Sequence, residues 1–482
     1  MRTLPALALL ALSAALPAGA ARAATAPADC RYDLAIEGAA ASALDVAIRC
    51  SAPGLRGFRL TERQDLASIR DFTLDGTTAT ATDDGSWIVA KPGGGPVTAR
   101  YRVDLDSLSG GTNAADRPMR IGASVITGLA DWMVMPLADR NLTIALTVAA
   151  GAAGFATAMP MADGAYRIDS DSLPDAGNTA FGRLAGATVP LPAIGGGTAE
   201  LALTVLDGAM QASPADLARW VQDTGEAVAH YWGGFPVDRA SIILVPIPGK
   251  RGLPFGRVIA VGGASVLILV GAEATARELY DEWVLVHEFT HLGSPYVRDT
   301  GAWLNEGLAT YIEPIVRARA GWRSVASVWQ EWLQNMPRGL EAMGKGGLAH
   351  ARRGGVYWGG ALFMLQADIA IRQASANRLG LEDCVAAVLR QGGDVRTAWR
   401  TADMLRACDA AVGGRPLEDL ARDHLDGGWP LDLAALWKSL GVALGPDGSV
   451  VTDDTAPLAA VRRAIIDGGR AGRMKPIAIG AP

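Results

Sequence analysis

Apolar and polar side chains alternate in short runs over residues 24 to about 210. The runs 57–61, 96–105, 142–149 and 198–206 each place apolar residues at every second position, and Gly, Asp, Asn and Pro separate them. Helical spacing is scarce in this part. The pattern predicts an N-terminal β-sandwich-like domain of antiparallel strands over 24–210.

The period changes at Ser213-Pro214-Ala215-Asp216. A serine cap followed by proline at the first helical position predicts a helix continuing over 217–232. A buried strand is predicted over 241–247, and two short strands over 257–270 with Gly262-Gly263 between them. Residues 273–292 then read as one long amphipathic helix, with Leu279, Trp283, Val286 and Thr290 on one stripe. A further helix starts near Ala302, and Pro314 is expected to end or kink it. The following stretch is mostly helical, with segments at 358–375, 381–391, 397–411 and 417–424. The chain thus reads as multidomain α+β: a β-rich unit over 24–210, a mixed unit over 211–324, a helical unit over 325–448, and a polar, peripheral tail over 449–482.

Composition narrows the function. The chain has 482 residues, 50% hydrophobic and 20% charged, which suits a multidomain globular protein. A net charge of −6, with no basic run, argues against a nucleic-acid partner. Arg2, the apolar stretch 4–18 and Ala21-Arg22-Ala23 read as an export signal over 1–23, cleaved before Ala24. No later segment is apolar for long enough to span a bilayer, so no stable membrane span is expected after cleavage. The cysteines Cys30, Cys50, Cys384 and Cys408 form two separated pairs. An oxidising compartment makes Cys30–Cys50 and Cys384–Cys408 candidate disulfides, with four buried thiols as the alternative.

The chemistry concentrates in His287-Glu288-Phe289-Thr290-His291. Of the five histidines, two sit here four positions apart. Residues i and i+4 share a helix face, so both imidazoles can meet one metal ion, and Glu288 can meet a water on it. A catalytic zinc site of this kind needs a third protein ligand. Fourteen residues intervene between His291 and Glu306, which lies in Trp303-Leu304-Asn305-Glu306-Gly307, and Gly293, Ser294 and Pro295 supply the break between the two segments.

This motif followed by Asn305-Glu306-Gly307 resembles the gluzincin metallopeptidases, the group of thermolysin and the aminopeptidase N family. Trp303-Leu304-Asn305-Glu306-Gly307 resembles the aminopeptidase N version, and Tyr357-Trp358-Gly359-Gly360-Ala361-Leu362 resembles a segment shared with the glycyl aminopeptidases. Asp368, Ile371 and Arg372 are most similar to the latter. The resemblance is carried by residues 213–375. It implies a thermolysin-like catalytic domain binding one Zn2+ through His287, His291 and Glu306. It implies Glu288 as general base acting on a zinc-activated water, and Tyr357 as oxyanion donor. His350 and Tyr296 are the fallback donors. Glu313, seven residues past Glu306, is expected to orient a ligating histidine.

Gluzincins hold the substrate backbone by strand addition, and Gly262, Gly263 and Ala264 are the candidate edge strand. The families' amine-binding glutamate is missing here: Ala264 and Ser265 stand in this stretch, and the next acid is Glu273. The expected activity is therefore peptide-bond hydrolysis on peptides or proteins, with aminopeptidase and endopeptidase modes both open. A zinc-binding but inactive exported binding module is the rival reading.

Overall fold

The computed structural model describes residues 27–89, 95–111, 117–299, 301–344, 346–352, 354–468 and 477. The stretch read as an export signal lies outside them. Two of the four N-terminal runs appear one residue shorter at each end than predicted, as Val97–Asp104 and Thr143–Val148, and a third shrinks to Gly57–Arg59. Along Val97–Asp104 every second residue is buried, the mark of a strand with one face on a core. An eight-stranded sheet, a three-stranded sheet and a four-stranded sheet form this part. Its apolar core runs from Cys30 to Phe181.

The fourth run, Thr198–Leu206, belongs to a different sheet. In spatial order that sheet is Leu184–Pro192, Thr198–Leu206, Arg239–Ile247, Ser265–Gly271 and Phe255–Ile259. The three central strands are parallel, and each outer strand pairs antiparallel. Ser265–Gly271 is buried at every residue, because both faces of the sheet are covered. One face meets the four-stranded sheet through Ile121, Ile126, Ala180, Ile243, Val245 and Leu267. The other carries helices, and one continuous apolar core extends from Val189 to Ile466.

Helix Pro214–Trp232 begins as its sequence indicates. Ser213 Oγ accepts from Asp216 N–H at 3.2 Å, and Gly233 closes the helix in the left-handed region. The single helix expected over 273–292 is instead two, Ala276–Asp281 and Val284–His291. Glu282 between them is extended, and its carboxylate accepts the Leu253 N–H, a tertiary contact that outweighs helical periodicity. Pro314 neither ends nor interrupts its helix, which runs Trp303–Arg319. A proline forfeits one backbone bond, and Ile312, Ile315 and Val316, all buried, hold the helix in place.

Among its described residues, the polar tail is not wholly peripheral. Helix Ala459–Asp467 puts Ile465 and Ile466 into the main core. Arg319 donates from Nε to Ile466 O at 2.9 Å, and buried Arg462 bonds the carbonyls of Leu440 and Gly441. Those arginines satisfy helix-end carbonyls, so the segment's low hydropathy hides its burial. Both cysteine pairs are disulfides. Cys30–Cys50 links register partners on adjacent strands, and Cys384–Cys408 ties Leu381–Arg390 to Thr401–Val412. No helix among the described residues is long and apolar enough to cross a membrane.

Candidate metal centre and active site

The motif helix Val284–His291 is buried over its first seven residues, His287 among them, and His291 is partly buried. The His287 and His291 rings lie 4.8 Å apart. One oxygen of Glu306, Oε2, stands 3.2 Å from His287 Nε2 and 3.5 Å from His291 Nε2. The candidate ligand atoms of all three residues fall within 4.8 Å of one another. With neutral imidazoles, this geometry aims three acceptors at one point, an arrangement that suits a divalent cation of the zinc type.

Charge and burial reinforce the arrangement. Burial drives the His287 imidazole down to about 4, keeping its lone pair free. Burial opposes the His291 cation too, yet the hydrogen bond to Glu306 and the nearby carboxylates push its pKa up. Glu306 is also desolvated, but its two histidine partners hold it well below the usual carboxylate range. Glu288 behaves in the opposite way: burial, with a contribution from the Glu306 charge, pushes its carboxyl up to about 7. A carboxyl poised near neutrality can both take and return a proton.

Two features of the Asn305-Glu306-Gly307 stretch position Glu306. Asn305 Nδ2 donates to Ser294 Oγ at 3.0 Å and to Pro295 O at 2.8 Å, and its Oδ1 accepts from Val297 N–H at 3.2 Å. It therefore clamps the loop joining the two ligand-bearing helices. Gly307 lets the helix carrying Glu306 press against Gly360; a Cβ on Gly307 would stand 2.4 Å from Gly360 Cα.

Tyr357 sits in a π-helical turn, Gly355–Gly359, that leads into helix Gly360–Ser375. Such turns often mark functional positions, because they redirect a side chain without ending the helix. Tyr357 is 41% exposed. Partial burial and the charges of Glu306 and Glu288 raise its phenol above the usual range, so it stands in the field of those two carboxylates. Of the other donor candidates, Tyr296 is exposed and lies under the Arg298 guanidinium, and His350 bonds Gly346 O.

Two expectations need correction. Gly262, Gly263 and Ala264 are not an edge strand; they form the turn before Ser265–Gly271. Gly262 and Gly263 have φ of +75° and +129°, and a Cβ on Gly263 would strike the Ala158 carbonyl of the N-terminal unit at 2.0 Å. The edge strand beside Ser265–Gly271 is Phe255–Ile259. Its Gly256 abuts the motif helix, and a Cβ there would meet Glu288 Cγ at 2.7 Å and Oε1 at 2.9 Å. Glu313 likewise does not bond a histidine. It is 4% exposed and accepts from Arg317 Nη1 at 2.9 Å, while Arg317 Nη2 donates to Asp281 O. Arg317, held by Glu313 of the same helix, thus joins the Glu306 helix to the segment just before the motif helix.

Sequence reasoning missed Gly256, Arg257 and Trp283. Trp283 caps the motif helix, is 49% exposed and packs edge-on against the His287 ring at 5.1 Å. Asp368 and Arg372 belong to a buried network away from the ligands: Asp368 accepts from Tyr311 and from Leu381 N–H, and Arg372 pairs with Asp368 and Glu382.

No family model matches the sequence, and no curated protein matches it. Solved structures do. An aminopeptidase N family protein from Idiomarina loihiensis superposes with a TM-score of 0.64 at 14% identity, covering 86% of this chain and 78% of its own. The M1 zinc metallopeptidase of Deinococcus radiodurans gives a TM-score of 0.48 at 16% identity, over 84% of this chain and 94% of its own. A mutant of the Deinococcus radiodurans enzyme bound to a Tyr-Ser-Ala substrate gives 0.49 at 15%, over the same shares. The first of these likenesses establishes that the chain, a mixed α+β protein of several sheets and helices, has the fold of an aminopeptidase N family protein.

Proposed function

We propose that the chain is an exported zinc-dependent metallopeptidase of the gluzincin type, hydrolysing peptide bonds in peptide or protein substrates. The observation that carries this reading is the convergence of His287, His291 and Glu306 on one point, with buried Glu288 beside it and Gly256 of an edge strand against Glu288. Zinc held there would supply Lewis acidity, polarising the scissile carbonyl and acidifying a water.

The chain's own residues supply the rest. Glu288 takes the proton from the attacking water and returns it to the leaving amine, and its raised proton affinity suits both transfers. Tyr357 donates its O–H to the oxygen that becomes negative as the carbonyl is attacked. The outer edge of Phe255–Ile259 offers backbone N–H and C=O groups to an extended peptide. Export is consistent with the leader-like N-terminus and with two disulfides.

The test is Glu288→Gln in the full chain. Zinc content by elemental analysis should match the parent, while turnover of a peptide library falls by a factor of about 10³ or more. Retained cleavage would remove Glu288 from the role of base. Zinc bound without turnover in the parent protein would favour a binding module instead.

A further inference from the structure

The strand that borders the candidate site carries one ionisable side chain. Among Phe255, Gly256, Arg257, Val258 and Ile259 it is the arginine. Gly256 touches Glu288, so an extended peptide laid along this edge would pass the catalytic carboxyl and Arg257 within about one residue step, roughly 3.3 Å along the strand. Strand alternation turns Arg257 away from the motif helix, toward the N-terminal unit. There its Nη2 lies 3.4 Å from Asn178 Oδ1.

That contact leaves the guanidinium under-used. Asn178 is neutral, and the bond is long. Arg257 Nε is buried with no hydrogen-bond partner, and Arg257 forms no ion pair among the described residues. A guanidinium offers five N–H donors in a planar fork that matches a carboxylate. Its charge is felt as far as Glu288. The opposite sign of ligand is disfavoured: an ammonium beside this strand would meet a like charge without a carboxylate from the strand to offset it.

We propose that Arg257 receives a carboxylate of the substrate and is the specificity-determining residue of this site, which therefore takes anionic peptides in preference to peptides presenting a free amino group there. This rests on the peptidase reading above. The carboxylate can come from an acyl cap, an acidic side chain or a chain terminus, and these sources are separable by experiment.

The experiment uses the full-length, zinc-loaded protein and its Arg257→Gln, Arg257→Lys and Arg257→Glu variants. Reporter peptides of one trialanine core carry a succinyl cap, an acetyl cap or a free amine. Two further acetylated peptides carry either one glutamate in the core or a free C-terminal carboxylate. The parent should favour at least one carboxylate-bearing peptide over the acetyl control by about tenfold in kcat/KM. Arg257→Gln should bring that ratio to about one, Arg257→Lys should keep part of it, and Arg257→Glu should reverse it toward the free amine.

Binding supplies an independent readout. In a Glu288→Gln background, calorimetric titration with the favoured anionic peptide should show about tenfold weaker binding once Arg257 becomes Gln. Thermal unfolding of each variant reports any role of the Asn178 contact in the fold. Unchanged ratios and affinities in folded Arg257→Gln would overturn the proposal, even if peptides are cleaved. Arg257-dependent binding without any cleavage by the parent would uphold the anion site and sink the peptidase reading.

Discussion

Gly307 and Gly360 lie backbone to backbone, so close that a Cβ on either one would overlap the other helix. A Cβ on Gly360 would stand 2.3 Å from Trp303 O and 2.7 Å from Gly307 Cα. This crossing fixes the distance between the helix that carries Glu306 and the turn that carries Tyr357. Gly307→Ala gains helix propensity of about 1 kcal/mol locally, but the overlap forces the helices apart, a cost on the order of 1–3 kcal/mol. The expected result is a lower Tm together with a fall in kcat larger than the fall in zinc occupancy. An unchanged kcat at full occupancy would show that the crossing does not set the Tyr357 position.

Asn305 makes three hydrogen bonds to residues 294–297 of the loop between the two ligand-bearing helices. Asn305→Ala leaves the Val297 N–H without its side-chain partner and frees the link between the two ligand-bearing helices. A loss of about 1–3 kcal/mol is expected. Because the loop joins His291 to Glu306, part of this loss should appear as weaker zinc retention, read by competition with a chelator. Asn305→Asp keeps the acceptor for Val297 and should fall between the two.

What the sequence made legible follows from range. His287 and His291 are readable because i and i+4 share a helix face, and Glu306 because a break and a new helix separate it from them. The Glu282 break was not readable, because its cause is the Leu253 N–H, which only the folded chain brings near. The edge strand was misplaced because Gly262-Gly263 is the louder glycine signal; those glycines serve a turn, and the glycine that admits Glu288 is the lone Gly256. Glu313 was misassigned although its partner was visible at i+4 as Arg317.

Glu313 gives stability a specific pH dependence. Burial pushes its carboxyl up to about 7; Arg317 and Arg323 oppose that rise, and Glu331 adds to it. The protonated form is therefore favoured more in the folded state than in the unfolded one. This contribution is fully present below the unfolded carboxyl value and is lost as pH rises through about 7. The change amounts to roughly 3 kcal/mol. Glu313→Gln mimics the protonated form and should flatten the stability profile between pH 5 and 8 as followed by chemical denaturation. A parent and variant with parallel profiles would show that Arg317 keeps Glu313 ionised throughout.

Cys384 and Cys408 are 24 positions apart in sequence and tie two helices of the main core. A closed loop of this size constrains the unfolded chain by about 3 kcal/mol. Replacing both cysteines by serine should lower Tm, and a reductant should reproduce the shift in the parent but not in the variant for this bridge. The bridged helices supply none of His287, Glu288, His291, Glu306 or Tyr357, so kcat measured well below Tm should be retained.

Glu306 completes the ligand set, and its replacement separates metal binding from folding. The carboxylate is held low by two histidines, which means those histidines also depend on it. Glu306→Gln removes the negative charge and leaves a weak neutral ligand, so zinc affinity should drop by a factor of about 10²–10³. The apolar core extends from Val189 to Ile466, well beyond the ligand cluster, so metal-free protein should stay folded. Chelation of the parent should therefore abolish turnover with little change in far-ultraviolet circular dichroism, and zinc should restore it. The variant should need far more zinc for partial recovery. Unfolding on chelation would instead show that the ion is part of the core's stability, as in small zinc-dependent domains.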